Sequence, residues 1–88
     1  MSVAVLTAVD RAEAALRRLG FDDLRVRHLD DTARIEVPID RLPDVLEQRA
    51  EVVAAVAGVG YAYVTLDLEG LRSGNLNRVL KGGKPGRG

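Results

Sequence analysis

The sequence predicts a small α/β (α+β) domain: a two-layer sandwich of α-β-β-α-β order, with a three-stranded antiparallel sheet of strand order 2-1-3 and two helices on one face. Three observations predict it. In two stretches apolar residues recur at three- and four-residue spacing, the period of a helix with one buried stripe. In three shorter stretches apolar and polar residues alternate, the period of a strand with one buried face. The 88 residues, 47% hydrophobic and 30% charged, suit one folded domain with a modest core better than a disordered segment.

Ser2 to Leu19 reads as the first helix, with Val5, Ala8, Val9, Ala12, Leu16 and Leu19 as its apolar stripe. Ser2 is placed to cap the N-terminus and Gly20 to stop the C-terminus. Arg17 and Arg18 fall in the last turn, where the helix dipole favours cations. Asp22 to His28 reads as a strand, Leu24 and Val26 inward, Arg25 and Arg27 outward. Leu29-Asp30-Asp31 is a polar turn, and Thr32 to Val37 the returning strand of a hairpin, with Ala33, Ile35 and Val37 inward and Thr32, Arg34 and Glu36 outward. Pro38 cannot donate to a ladder and ends it. Asp40 is placed to cap a second helix with Pro43 in its first turn. Leu42, Val45, Leu46, Val53 and Val56 form the stripe of that helix, and Gly58 and Gly60 close it. Arg49 interrupts the stripe and predicts an irregularity near Glu47 to Ala50.

Tyr61 to Gly70 is the strongest strand signal, aromatic and β-branched residues alternating between flanking glycines. Ala62, Val64, Leu66 and Leu68 face inward; Tyr61, Tyr63, Thr65, Asp67 and Glu69 face outward. A right-handed crossover places this third strand beside the first. One-sided alternation in every strand puts both helices on one face. Leu71 to Leu80 reads as a turn with one helical turn. Residues 1–80 are expected to make one domain and residues 81–88 a disordered tail.

Thirteen acidic and thirteen basic residues cancel, so no net field points to nucleic acid or an anionic membrane as partner. The absence of cysteine excludes disulfides, thiolate metal sites and a cysteine nucleophile in this chain. The apolar run Val3 to Val9 is too short to span a bilayer and lacks the basic start of a secretory signal, so a cytoplasmic protein is expected. No phosphate loop of Walker or Rossmann spacing and no Ser/His/Asp arrangement is legible. The lone His28 makes no metal site and sits at a strand end.

The outward positions gather Arg25, Arg27, Arg34, Glu36, Tyr61, Tyr63, Thr65, Asp67 and Glu69 on one sheet face. Arg25 and Arg27 project to the same side about 7 Å apart at the backbone. Arginine forks suit carboxylates and phosphates, so the pair can grip an anionic ligand. The same residues also suit plain cross-strand ion pairing with Glu36, Asp67 and Glu69, each pair contributing at most about 1 kcal/mol.

Several strings resemble those of a known family. They are Tyr63-Val64-Thr65-Leu66-Asp67-Leu68-Glu69-Gly70, continuing Arg72-Ser73-Gly74 and Asn77; Ala12-Glu13-Ala14; Leu19-Gly20-Phe21; Arg25-Val26-Arg27-His28; and Ala33-Arg34-Ile35-Glu36-Val37. Together, from about Val9 to Leu80, they resemble the C-terminal domain of the ATP-dependent sacrificial sulfur transferases of nickel-pincer nucleotide biosynthesis, which serve lactate racemase maturation. The resemblance implies a substrate-site and oligomerisation domain. In that family an N-terminal domain, using ATP and Mg, adenylates a pyridinium carboxylate mononucleotide, and a cysteine then gives up its sulfur. Carried over by motif, Arg25 and Arg27 are substrate or phosphate contacts, Glu13 is an acidic site residue, and Asp44 a second one, with Asp40 as its competitor. The implied partners are a pyridinium mononucleotide-type ligand, an N-terminal adenylating domain and further copies of the chain as a homo-oligomer.

The chain departs from the family in lacking the adenylating Ser-Gly-Gly-x-Asp-Ser motif and any cysteine, in Leu71 at a usually aromatic position, and in Arg78 at a commonly acidic one. No catalytic residue and no cofactor are therefore expected in this chain by itself. It reads as an excised or split C-terminal domain; the alternative is a free-standing oligomerisation or regulatory module.

Overall fold

The computed structural model describes residues 2–71. In chain order these form α1 (Val3–Arg18), β1 (Arg25–Leu29), β2 (Thr32–Glu36), a 3-10 turn (Ile39–Arg41), α2 (Leu42–Glu47), α3 (Arg49–Ala57) and β3 (Tyr63–Leu66). The turn expected after Leu71, the tail over 81–88, and the family strings around Arg72 to Arg78 lie outside the described residues.

Both ends of α1 are built from the residues that predict it. Ser2 Oγ accepts a hydrogen bond from the Val5 N–H at 3.2 Å. At the other end Gly20 adopts φ 106°, a conformation that costs glycine little. It lets the Gly20 N–H reach the Arg17 carbonyl at 2.9 Å and the Phe21 N–H reach the Leu16 carbonyl at 3.2 Å. This double closure uses up two carbonyls left over at a helix end. It also drives Phe21 into the core, where it is buried beside Ala12 and Leu16.

The second predicted helix is two helices. The backbone leaves the helical region at Gln48 (φ −101°, ψ 28°), inside the stretch where Arg49 predicts an irregularity. The break changes which residues are buried. Val45, Val52 and Val56 face the core, whereas Leu46 is 60% and Val53 39% exposed, against expectation. An unbroken helix would carry Arg49 into the apolar stripe, where an unpaired guanidinium is costly; with the break, Arg49 opens α3 on an exposed position. Asp40 does not cap: it lies inside the 3-10 turn, and α2 starts after Arg41 without a side-chain cap, Pro43 occupying its first turn as expected.

The three strands form one sheet in the order β1-β2-β3. This corrects the expected order 2-1-3 and the all-antiparallel pairing. β1 and β2 form the predicted antiparallel hairpin, with Val26 opposite Ile35 and Arg27 opposite Arg34. β3 lies beside β2 and parallel to it, Arg34 opposite Thr65 and Ile35 opposite Leu66. The helical crossover does return the chain in the direction of β2; the neighbour is what differs. α1 already occupies the outer edge of β1, where Glu13 Oε2 accepts the Val26 N–H at 3.0 Å. That donor is one a third strand would need, so β3 adds at the free edge of β2 instead.

The third strand is also shorter than its pattern. The Asp31 carbonyl accepts from the Ala62 N–H at 2.8 Å and the Tyr63 N–H at 3.2 Å, so the pleat begins only at Tyr63. Tyr61, expected outward, is 6% exposed and belongs to the core. After Leu66, Asp67 Oδ1 accepts the Glu69 N–H at 2.9 Å, a local turn that ends the ladder. Beyond it Leu68, expected inward, is 74% exposed, and Ala62 is exposed as well. Gly70, at φ 83°, then brings the chain back so that the Leu71 N–H meets the Val37 carbonyl at 2.7 Å.

One apolar cluster joins all of this. Leu16 and Phe21 from α1 and its exit, Leu24, Val26, Ala33, Ile35 and Val37 from the hairpin, and Val45, Val52 and Val56 from α2 and α3 are all buried in it. The outward faces of the strands remain polar, and they hold the candidate site.

Candidate functional site

Period-two alternation places Arg25 and Arg27 of β1 and Arg34 and Glu36 of β2 on the sheet face opposite the buried Val26, Ala33 and Ile35. The hairpin register sets Arg27 directly opposite Arg34, and like charges so placed repel. Glu36 resolves the conflict. Its Oε1 accepts from Arg27 Nε at 3.2 Å and its Oε2 from Arg34 Nη2 at 3.2 Å. The Glu36 side chain is only 6% exposed, although the sequence pattern sets it on a solvated face. The two long arginine side chains that it pairs with flank it and take it out of water. Arg34 Nε lies 3.9 Å from Asp67 Oδ2, too far for a hydrogen bond. It is a buried nitrogen with no hydrogen-bond partner among the described residues.

Arg25 and Arg27 thus share a face, as expected, but are held differently. Arg25 folds onto its own strand, Nη1 donating to the Leu24 carbonyl at 3.2 Å. Arg27 is held through Nε alone. Glu13 reaches the same strand from α1: one carboxylate oxygen takes the Val26 N–H and the other lies 3.8 Å from Arg17 Nη2. It therefore sits on the edge of β1, at the residue between the two arginines, with one oxygen committed to backbone.

Asp44 is not brought to this group. Its Oδ2 accepts from Arg41 Nε at 2.8 Å, and Arg41 in turn donates to the Gly20 carbonyl at 3.2 Å and stacks 4.8 Å from the centre of the Phe21 ring. These interactions tie α2 to the exit of α1. Asp40, its competitor, forms no cap and lies on the 3-10 turn.

A pair that local sequence does not signal is His28 with Tyr61. His28 Nδ1 lies 2.9 Å from the Tyr61 hydroxyl, and the rings meet edge-on at 5.5 Å. Burial pushes the Tyr61 phenol up from its ordinary range. The partners are 33 residues apart and meet only because β3 docks on the hairpin. Among the described residues no three His, Cys, Asp or Glu side chains converge as a metal set, and no helix is long and apolar enough to cross a membrane. What the face presents is the half-exposed guanidinium groups of Arg27 and Arg34, each donating one N–H to Glu36.

No family model matches the chain. Two longer proteins do. It is 45% identical over 82 residues, 91% of this chain, to an uncharacterized protein of Synechocystis sp., of which the match spans 31%. It is also 45% identical over 75 residues to the pyridinium-3,5-bisthiocarboxylic acid mononucleotide synthase of Lactiplantibacillus plantarum. The chain thus spans about a third or less of the length of these relatives, 31% and 27%. The resemblance carried by its motifs is therefore shown: over 85% of its own length this chain is similar to part of a pyridinium-3,5-bisthiocarboxylic acid mononucleotide synthase.

Proposed function

We propose that this chain is the C-terminal substrate-site and oligomerisation domain of an ATP-dependent sacrificial sulfur transferase acting in nickel-pincer nucleotide biosynthesis in the cytoplasm. On this reading Arg25 and Arg27 contact the phosphate of a pyridinium mononucleotide, with Glu13 at the strand edge between them and Asp44 further off. ATP and Mg act in an N-terminal adenylating domain, the chain's partner, and the donated sulfur comes from outside this cysteine-free sequence. The chain binds and orients substrate and catalyses nothing alone. It assembles with copies of itself, and takes neither nucleic acid nor a membrane as partner. The observation that carries this reading is the 45% identity to the synthase across 85% of the chain; two arginines on one polar face supply the matching chemistry.

Calorimetric and NMR titration with a pyridinium carboxylate mononucleotide, and separately with an adenylating domain, tests it. We expect saturable mononucleotide binding that is lost in the Arg25→Ala/Arg27→Ala double variant while the amide spectrum stays folded. Silence in both titrations would sink the reading. One observation favours the alternative, a free-standing oligomerisation or regulatory module: among the described residues β3 is an edge strand whose Tyr63 is 62% exposed. A concentration-dependent oligomer in sedimentation, indifferent to both arginine substitutions, would favour that alternative.

A further inference from the structure

We infer that Glu36 is the positioning residue of the anion site, holding Arg27 by one edge of its guanidinium so that the other edge is presented to the ligand. The inference rests on the reading above and adds a residue and a role to it. A guanidinium has two edges that can each bind an oxyanion: the Nε edge and the paired Nη edge. Glu36 Oε1 takes Arg27 at Nε, 3.2 Å away, and Oε2 is occupied by Arg34 Nη2 at 3.2 Å. Among the described residues the Nη edge of Arg27 has no hydrogen-bond partner, and the side chain is 51% exposed. A carboxylate engaged from both sides and 6% exposed has little freedom to swing. The arginine it holds loses rotamer freedom before the ligand arrives, which lowers the entropic cost of binding.

Position and charge make opposite predictions. If Glu36 acted only through its charge, neutralising it would make the face more positive and tighten anion binding. If it positions Arg27, neutralising or shortening it frees the guanidinium, and binding weakens. The probes are a pyridinium carboxylate mononucleotide and inorganic phosphate, titrated into the wild type, Glu36→Gln and Glu36→Asp, with amide spectra to verify the fold. The expected result is weaker mononucleotide binding in both variants, by about tenfold, the size of one charge-assisted hydrogen bond. Unchanged or tighter binding in Glu36→Gln, or unchanged binding in Glu36→Asp, overturns the proposal.

A second measurement needs neither ligand nor variant. In the free wild-type chain, water exchange of the Arg27 Nε–H is expected to be slower by about tenfold than that of exposed Arg11, because the donor is engaged. Equal exchange rates would overturn the clamp. If the wild type binds neither probe, the proposed function fails, and this exchange rate alone decides whether Glu36 fixes Arg27.

Discussion

Tyr61 is buried where a simple alternation sets it outward, and Glu36 keeps its outward side yet is buried there between Arg27 and Arg34. Tyr61 has a buried ring whose hydroxyl meets His28 Nδ1 at 2.9 Å. Burial disfavours the phenolate, so the native pKa of Tyr61 lies above its unfolded value. The stability this contributes is intact below the unfolded value near 10 and is lost as pH rises through the native one. Urea unfolding followed from about pH 7 to 11 should therefore show stability falling at the alkaline end. Tyr61→Phe should flatten that fall while costing about 1 kcal/mol at neutral pH for the lost hydrogen bond. A fall of equal size in the variant would assign the alkaline loss to other groups. At this scale the sequence reveals that Arg25, Arg27 and Arg34 point outward, because a period of two is a property of the strand itself. It does not reveal that Glu36 is buried or that Asp44 is committed to Arg41, because both depend on which side chains arrive from other segments.

Each element takes its limits from backbone geometry at its ends. α1 runs between a serine cap and a left-handed glycine, and both are visible in the sequence. β3 stops early because Asp67 captures the Glu69 N–H and Gly70 reverses the chain against the 3-10 turn. At Gly70 a Cβ would lie 2.7 Å from Ile39 Cγ1 and 3.2 Å from the Val37 carbonyl oxygen, at φ 83°. Gly70→Ala should therefore destabilise by about 2 kcal/mol or more, combining left-handed strain with a clash. Gly20→Ala, with nothing within 4 Å, should cost only the left-handed term of about 1 kcal/mol. Urea midpoints of the two variants check the order, and equal losses would mean that the Ile39 contact relaxes freely. The break at Gln48 belongs to this scale too. A charged residue on an apolar stripe announces it, yet the choice of Val52 over Val53 as the buried residue follows only once α3 has docked.

The described residues share one core, fed by α1, α2 and α3 and by both strands of the hairpin. Ile35, 1% exposed at the centre of the sheet, tests its unity. Ile35→Ala should cost about 2–5 kcal/mol, with helix circular dichroism and tyrosine fluorescence shifting together, as a single cooperative transition requires. Separate transitions would divide the molecule into independent parts. The sequence by itself determined the order of helices and strands, the hairpin, the cap and stop of α1, the break in the second helical stretch and the outward arginines. All of these follow from local periodicity and from what serine, glycine and proline permit in the backbone. Tertiary structure alone decided that β3 joins β2 rather than β1, that Tyr61 turns inward to His28, and that Glu36 lies buried between Arg27 and Arg34 on the polar face. The physical reason is the same in each case: a backbone donor, a ring hydroxyl or a carboxylate takes the partner that packing makes available. α1 occupies the edge of β1, where Glu13 Oε2 accepts the Val26 N–H, and β3 pairs at the opposite edge of the hairpin, on β2.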